Sequence, residues 1–122
     1  MYFPISDWLP AFLLTLAVEA PIVAIILRRY EPDLIRLGIL VLFANLATHL
    51  AVWYVITQLL LVDTWPYLLV AETWAIAAEA VLYWAAIRGL RPTSSIGVAL
   101  IANLASFAAG RTLVAIWPQG FG

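Results

Sequence analysis

The sequence predicts an all-α membrane protein, a bundle of four transmembrane helices built from two similar helical hairpins. Of the 122 residues, 66% are hydrophobic and 11% are charged, and the mean hydropathy is +1.03. Soluble domains are nearer to half apolar. The apolar residues fall into four runs, each close to the roughly 20 residues that a helix needs to cross the hydrocarbon core of a bilayer. The two halves of the chain are similar in sequence, which predicts that each half forms a helical hairpin of the same kind.

The predicted helices cover approximately residues 8–27, 37–62, 65–87 and 96–117. The segments between them are short, so residues 1–122 are predicted to form a single transmembrane domain with no soluble part that could house an active site. The N-terminus carries Asp7 and no basic residue before the first apolar run, which does not fit a cleaved signal peptide. We therefore expect the first helix to stay in the mature protein.

The arginines predict the orientation of the helices in the membrane. Loops on the cytoplasmic side are enriched in basic residues. Five arginines lie in or beside the first and third connectors, namely Arg28, Arg29, Arg36, Arg88 and Arg91, whereas the N-terminus and the second connector carry only acids, Asp7 and Asp63. Both termini are therefore expected outside, in what we take to be a prokaryotic inner membrane. Aromatic residues expected at the outer interface are Trp8, Trp65, Tyr67 and Trp117.

Composition also excludes several functions. A net charge of −1, with no lysine, offers no basic surface for nucleic acid. The absence of cysteine excludes disulfides, thiolate metal sites and thiol catalysis. The expected partners are the lipid bilayer and either further copies of this chain or a larger membrane complex.

Two pairs of segments indicate that the chain is duplicated. Residues 44–51, ANLATHLA, match residues 102–109, ANLASFAA, and Glu19 with Arg28 matches Glu79 with Arg88. The corresponding halves are approximately residues 8–62 and 67–117. Each half would start on the same side of the membrane, so the repeat is parallel, with its pseudo-twofold axis along the membrane normal. Glu19 and Glu79 would then face each other across that axis.

The third predicted helix contains two glutamates within an apolar run. Glu72, Glu79 and Tyr83 lie seven and four residues apart, so they share one face of the helix. An ionisable group deep in hydrocarbon costs several kcal/mol unless it is neutralised, paired or in contact with water. This face is therefore predicted to point into the bundle. In the alternative interpretation, Glu72 lies near the lipid headgroups and Glu79 is a protonated packing residue.

The first predicted helix carries Glu19 near its middle, with Thr15 one turn earlier on the same face. Pro21 cannot donate to the carbonyl of Ala17, so a kink and a free acceptor are predicted beside the carboxylate. Such an arrangement suits the binding of an ion or a proton. Alternatively, Pro21 only shapes helix packing, which is common in membrane helices.

Polar residues of the second and fourth helices are also grouped on one face of each helix. Asn45, Thr48 and His49 occupy adjacent turns, as do Asn103 and Ser106. His49 is the only histidine; it could be a neutral hydrogen-bonded core residue, a proton relay or cation ligand, or an axial ligand of a haem or chlorophyll. The polar residues of the fourth helix favour interhelical hydrogen bonding.

The predicted depths of the polar residues in the membrane place them in two groups. Glu19, His49 and Ser106 fall near the midplane, close to Glu79, whereas Glu72 and Arg111 fall toward the outside and could form an intramembrane ion pair. Two carboxylates brought close together in a low dielectric cannot both ionise cheaply, so a proton or a cation must accompany them.

A metal site is a further possibility. Glu19, His49 and Glu79 are the residues that could hold a divalent cation. Their spacing matches no familiar metal signature, since the Glu-x-x-His pair of di-iron bundles is missing. The identity of a bound cation, divalent or monovalent, does not follow from the sequence.

Size and helix number are shared with two known families. Small multidrug-resistance transporters carry a membrane-embedded glutamate in the first helix, as Glu19 is here, but Glu72, Glu79 and His49 do not fit their pattern. Small fluoride channels also have four helices, but their glycine-rich opening and phenylalanine-lined path are missing. The likeness is one of size and topology, so the sequence assigns no family.

The sequence therefore predicts proton- or cation-coupled transport, or conduction, of a small solute or ion. Glu19 and Glu79 are the candidate proton or cation acceptors, with His49 as relay. The other binding candidates are Asn45 and Asn103, and the supporting residues are Glu72, Arg111, Thr48, Ser106 and Tyr83. The alternatives are an accessory subunit whose buried polar residues set helix register and a membrane-embedded metal site or enzyme.

Overall fold

A computed structural model describes residues 5–62 and 64–116, with side chains from residue 8 onward. Across these residues the chain is helical, and four helices are long and apolar enough to span a membrane, as the sequence predicts. Asp63, Trp117 and the side chain of Asp7 lie outside the described residues, so their expected positions stay predictions.

The first helix, Ile5–Leu27, runs without interruption through Pro10 and Pro21. Proline lacks a backbone N–H and removes one hydrogen bond, while the rest of the helical ladder is kept. The helix is thus continuous at Pro21, and the kink predicted there stays a prediction. The carbonyl of Ala17 still lacks its usual donor.

The second helix, Leu34–Ala51, begins three residues before the predicted boundary because Asp33 caps it. The Asp33 carboxylate accepts hydrogen bonds from the backbone amides of Ile35 at 3.0 Å and Arg36 at 3.3 Å. Such bonds satisfy amides that have no partner within the helix.

The second helix continues as a π-helical segment, Val52–Ile56, and ends in an α-helical turn, Thr57–Leu59. In this last part, the side chains of Thr57 and Gln58 each donate to the carbonyl four residues earlier, at 2.7 Å. The sequence analysis predicted an ordinary helix here. Short π-helical segments are rare and often lie at functional sites.

The third helix is Trp65–Ala86 and the fourth is Pro92–Ile116. Gly89, with φ +84°, permits the tight turn between them, because this backbone conformation is unfavourable for a residue with a Cβ. Pro92 is the first residue of the fourth helix, where its missing N–H costs nothing. The helix therefore begins four residues before the predicted boundary.

The four helices form a ring in chain order. The first and third helices each pack against the second and the fourth, so the first and third face each other across the bundle. Large apolar side chains are exposed around the outside, among them Ile25, Ile35, Phe43, Val81 and Ile101. So much exposed apolar surface is untypical of a soluble monomer and fits contact with lipid. The internal repeat stays a prediction.

The two ends of the bundle differ in charge. The arginine-rich end carries the connectors at residues 28–33 and 87–91, and the opposite end carries the connector at residues 60–64. Next to the arginine-rich end, the helices enclose a continuous apolar core, made of Val23, Leu27, Leu37, Val41, Ala44, Tyr83, Ile87, Leu90, Val98 and Ala102.

Candidate functional site

Two glutamates meet in the middle of the bundle. Glu19 is 0% exposed and Glu79 is 1% exposed, although each lies in an apolar helix. They come from helices that face each other across the ring, and their carboxyl groups lie within hydrogen-bonding reach of each other. We call them the acid pair.

The fourth helix supplies a donor to each acid. The hydroxyl of Ser106 donates to Glu19 Oε2 at 2.9 Å, and the amide nitrogen of Asn103 donates to Glu79 Oε2 at 2.5 Å. Asn45 of the second helix lies near Glu19, but its side-chain amide donates to the carbonyl of Val41. The polar faces of the second and fourth helices are thus turned toward the acid pair.

One oxygen of each acid lacks a conventional donor. The Oε1 atoms of Glu19 and Glu79 are buried and accept no hydrogen bond from any donor among the described residues. Leaving a buried polar atom unsatisfied costs about 1–3 kcal/mol. A hydrogen bond between two carboxyl groups requires a proton on one of them, because an ionised carboxylate only accepts. The geometry of the acid pair therefore fits a shared proton.

The second and fourth helices hold their polar residues in the same local geometry. The side chains of Asn45 and Asn103 each donate to the backbone carbonyl four residues earlier, at 2.9 and 2.8 Å. The hydroxyl of Thr48 donates to the carbonyl of Asn45 at 3.2 Å, and the hydroxyl oxygen of Ser106 lies 3.1 Å from the carbonyl oxygen of Asn103, which competes with Glu19 for its single proton. These bonds fix the four side chains against their own helices.

Tyr83 adds an unused donor on the arginine-rich side of the acid pair. It lies one turn beyond Glu79 on the third helix and is 0% exposed. Its hydroxyl has no hydrogen-bond partner among the described residues.

A cavity of about 550 Å³ extends from the opposite end of the bundle to Glu19 of the acid pair. All four helices line it, and Glu19 is among its lining residues although it is buried. Its remaining polar lining includes Thr15, Thr48, His49, Glu72, Tyr67, Asn103, Ser106 and Arg111. The volume is typical of sites that bind small molecules. Glu79 and Tyr83 are not among the described residues that line this cavity.

His49 lies in the cavity wall. Its ring meets Phe12 edge-on, with 5.5 Å between ring centroids, and Phe12 in turn stacks on Trp8 at 4.8 Å. The Nδ1 atom is buried and has no hydrogen-bond partner within the described residues. The described residues also contain no group of three or more histidines or acids arranged to hold a metal ion, so Glu19, His49 and Glu79 are not gathered as a metal-ligand set.

Glu72 and Arg111 line the same cavity, closer to the opposite end. The guanidinium of Arg111 lies 5.7 Å from the ring centroid of Phe107. Among the described residues, the one ion pair within 4.0 Å joins Arg36 and Glu31, so Glu72 and Arg111 do not make a direct pair. A water-bridged contact between them stays a prediction.

The π-helical segment, which the sequence did not predict, contributes to the cavity wall. Val52 and Trp53, at its start, line the cavity one turn beyond His49.

Comparisons of the chain with protein-family models, with curated proteins and with solved structures found no match. The function is therefore argued from the geometry of the site.

Proposed function

We propose that this protein moves a small solute or ion across a membrane, coupled to the binding of a proton or cation at Glu19 and Glu79. One observation carries the proposal: Glu19 belongs to the wall of a cavity and, at the same time, lies within hydrogen-bonding reach of Glu79, which is buried beyond it. An ionisable pair at this depth is costly, and it is typical of ion and proton pathways.

The acid pair can exchange a proton for a cation. Two carboxylates in contact repel strongly unless a positive charge accompanies them, so one proton stabilises the empty pair. A cation entering the cavity would supply that charge itself. The proton could then leave, and for a monovalent cation the net charge of the pair and its ligand would stay the same.

The neighbouring polar residues have distinct proposed roles. Ser106 and Asn103 hold the acids at fixed positions through the hydrogen bonds described above. His49 contributes a titratable group to the cavity wall and is proposed to relay protons between the cavity and Glu19. Tyr83 is proposed to donate to the acid pair when a proton leaves.

Transport requires access from both sides in turn. The cavity joins the acid pair to the opposite end, while an apolar core fills the arginine-rich half. We interpret this arrangement as one state of an alternating-access cycle, in which a second state would open the arginine-rich side. Because four helices make a thin wall around a pathway, we also propose that copies of the chain associate with one another or with a larger membrane complex.

Proton release on cation binding tests the proposal directly. Purified protein in weakly buffered detergent solution would be mixed with Na⁺, K⁺, Mg²⁺ or tetramethylammonium, and the pH would be followed with an indicator dye. We expect at least one cation to release up to one proton per chain, and Glu19→Gln and Glu79→Gln to abolish this release. Glu31→Gln removes an acid outside the cavity and serves as the matched control.

Reconstituted vesicles supply the second measurement. Glu19→Gln and Glu79→Gln should each abolish pH-dependent uptake of the active cation while the bundle stays folded, because glutamine keeps the shape and can remain hydrogen-bonded. Normal uptake by both variants would refute coupled transport. It would favour an accessory subunit whose buried polar residues only set helix register.

A further inference from the structure

A second cavity lies at the arginine-rich end, away from the acid pair. It measures about 800 Å³ and lies between the first connector, the start of the second helix and the end of the third. Its charged lining consists of Glu31, Arg36 and Arg88. The proposed transport function makes no use of this pocket.

Arg36 is held in position across the pocket. One guanidinium nitrogen donates to the carbonyl of Ala86 at 2.8 Å, and another lies 3.8 Å from the carboxylate of Glu31. Its side chain is nevertheless 52% exposed. A guanidinium has five N–H donors in a rigid fork that matches the oxygens of a phosphate, so Arg36 keeps donors for a ligand.

Arg88 supplies a second positive charge to the pocket. It is exposed, and among the described residues it forms no ion pair within 4.0 Å. Five arginines, Arg28, Arg29, Arg36, Arg88 and Arg91, lie at this end together with only two acids, Glu31 and Asp33. The charge of the pocket and its surroundings therefore favours an anion.

The pocket continues into an apolar surface. Trp84 lines the pocket and is 52% exposed, and Val81, one turn earlier on the same face of the third helix, is 62% exposed. This face runs from the arginine-rich end toward the middle of the bilayer. A matching ligand would thus carry an anionic group for the arginines and a hydrocarbon chain for the helix face.

We propose that this pocket binds the headgroup phosphate of an anionic phospholipid, with an acyl chain lying along Val81 and Trp84. Anionic lipids are attracted to basic groups at the membrane surface. Glu31 opposes the binding, because its carboxylate repels the phosphate and competes for Arg36.

Lipid binding to the intact protein tests the inference. Full-length protein in neutral detergent would be titrated with phosphatidylglycerol or phosphatidylcholine, and bound lipid would be counted by native mass spectrometry. We expect a clear preference for phosphatidylglycerol. Arg88→Gln should weaken its binding by about fivefold, and Arg36→Gln at least as much. Arg88 makes no ion pair within the described residues, so its variant should fold even if Arg36→Gln disturbs the turn.

Two further variants make the test specific to the pocket. Arg91→Gln removes the same charge from the same end but does not line the pocket, so binding should change by less than about twofold, because salt screens an exposed charge that does not contact the phosphate. Glu31→Gln removes the opposing carboxylate and should tighten binding.

Three outcomes would overturn the inference. Equal weakening by Arg91→Gln and Arg88→Gln would mean that only the general surface charge attracts lipid. Displacement of the lipid by millimolar inorganic phosphate would assign the pocket to a free anion. Equal binding of the two lipids would mean that no anionic group is recognised.

Discussion

The two halves of the bundle differ in packing, although the same four helices form both. In the arginine-rich half, the helices enclose an apolar core in which Tyr83 and Leu27 are 0% exposed. In the other half, the same helices separate around a cavity of about 550 Å³ with polar lining. The acid pair lies where the two halves meet.

The difference teaches how a small membrane protein can hold ionisable groups at mid-depth. Packing alone would leave two carboxyl groups in a medium that cannot stabilise charge. A cavity alone would offer no barrier across the membrane. In the proposed function, the packed half supplies the barrier, and the cavity in the other half extends to the buried Glu19. If this division is correct, variants in the two halves should differ in the free energy of unfolding and in the rate of cysteine labelling.

The largest difference is expected in stability. Tyr83→Ala would leave a large void in the packed half and should lower the free energy of unfolding by about 3–5 kcal/mol. Phe107→Ala removes a half-exposed ring from the cavity wall and should cost less than about 1 kcal/mol, because the site is already open. Urea unfolding in detergent, followed by circular dichroism, measures both. Equal losses would contradict a division into packed and open halves.

The rate at which a thiol reagent labels a cysteine should differ between the two halves on the order of a hundredfold. A reagent reaches a position in the packed half only when the bundle opens locally. The chain has no cysteine, so Thr15→Cys in the cavity and Val98→Cys in the packed half can be labelled without background. A water-soluble maleimide should modify the first far faster.

The same reagent tests the orientation in the membrane. Added outside intact cells, it should reach Thr15→Cys but not Pro92→Cys if both termini face outward. Labelling of Pro92→Cys instead would reverse the predicted orientation.

A smaller effect should separate the hydroxyls of the second and fourth helices. Ser106→Ala removes a hydrogen bond to Glu19 and should cost about 1–2 kcal/mol. Thr48→Val removes only a bond to the carbonyl of Asn45 in its own helix and should cost less than about 0.5 kcal/mol. Unfolding of each variant in the same detergent compares them. A larger loss for Thr48→Val would imply that its hydroxyl also serves the acid pair.

The smallest effect concerns Glu72 and Arg111. They share the cavity without a direct ion pair, so a double-mutant cycle with Glu72→Gln and Arg111→Gln should give a coupling energy below about 1 kcal/mol. A coupling of zero would mean that no water joins them. A coupling of several kcal/mol would indicate that the two side chains meet directly in the membrane.

Local chemistry determined much of the fold. Apolar runs of spanning length specify the helices, and the boundaries follow from local chemistry, as when Asp33 caps the second helix or Pro92 opens the fourth. The polar faces were also predictable, since residues three or four apart share one side of a helix. Asn45 with Thr48 and Asn103 with Ser106 therefore stand out in the sequence alone.

The tertiary structure decided how those faces meet. The placement of Glu19 against Glu79, the opening of a cavity in one half only, and the separation of Glu72 from Arg111 depend on the rotation of each helix against its neighbours. The π-helical segment after Ala51 likewise has no local sequence signature that we recognised. Local spacing specifies which residues share a face, but small differences in packing among four nearly uniform apolar helices select the partner that each face contacts.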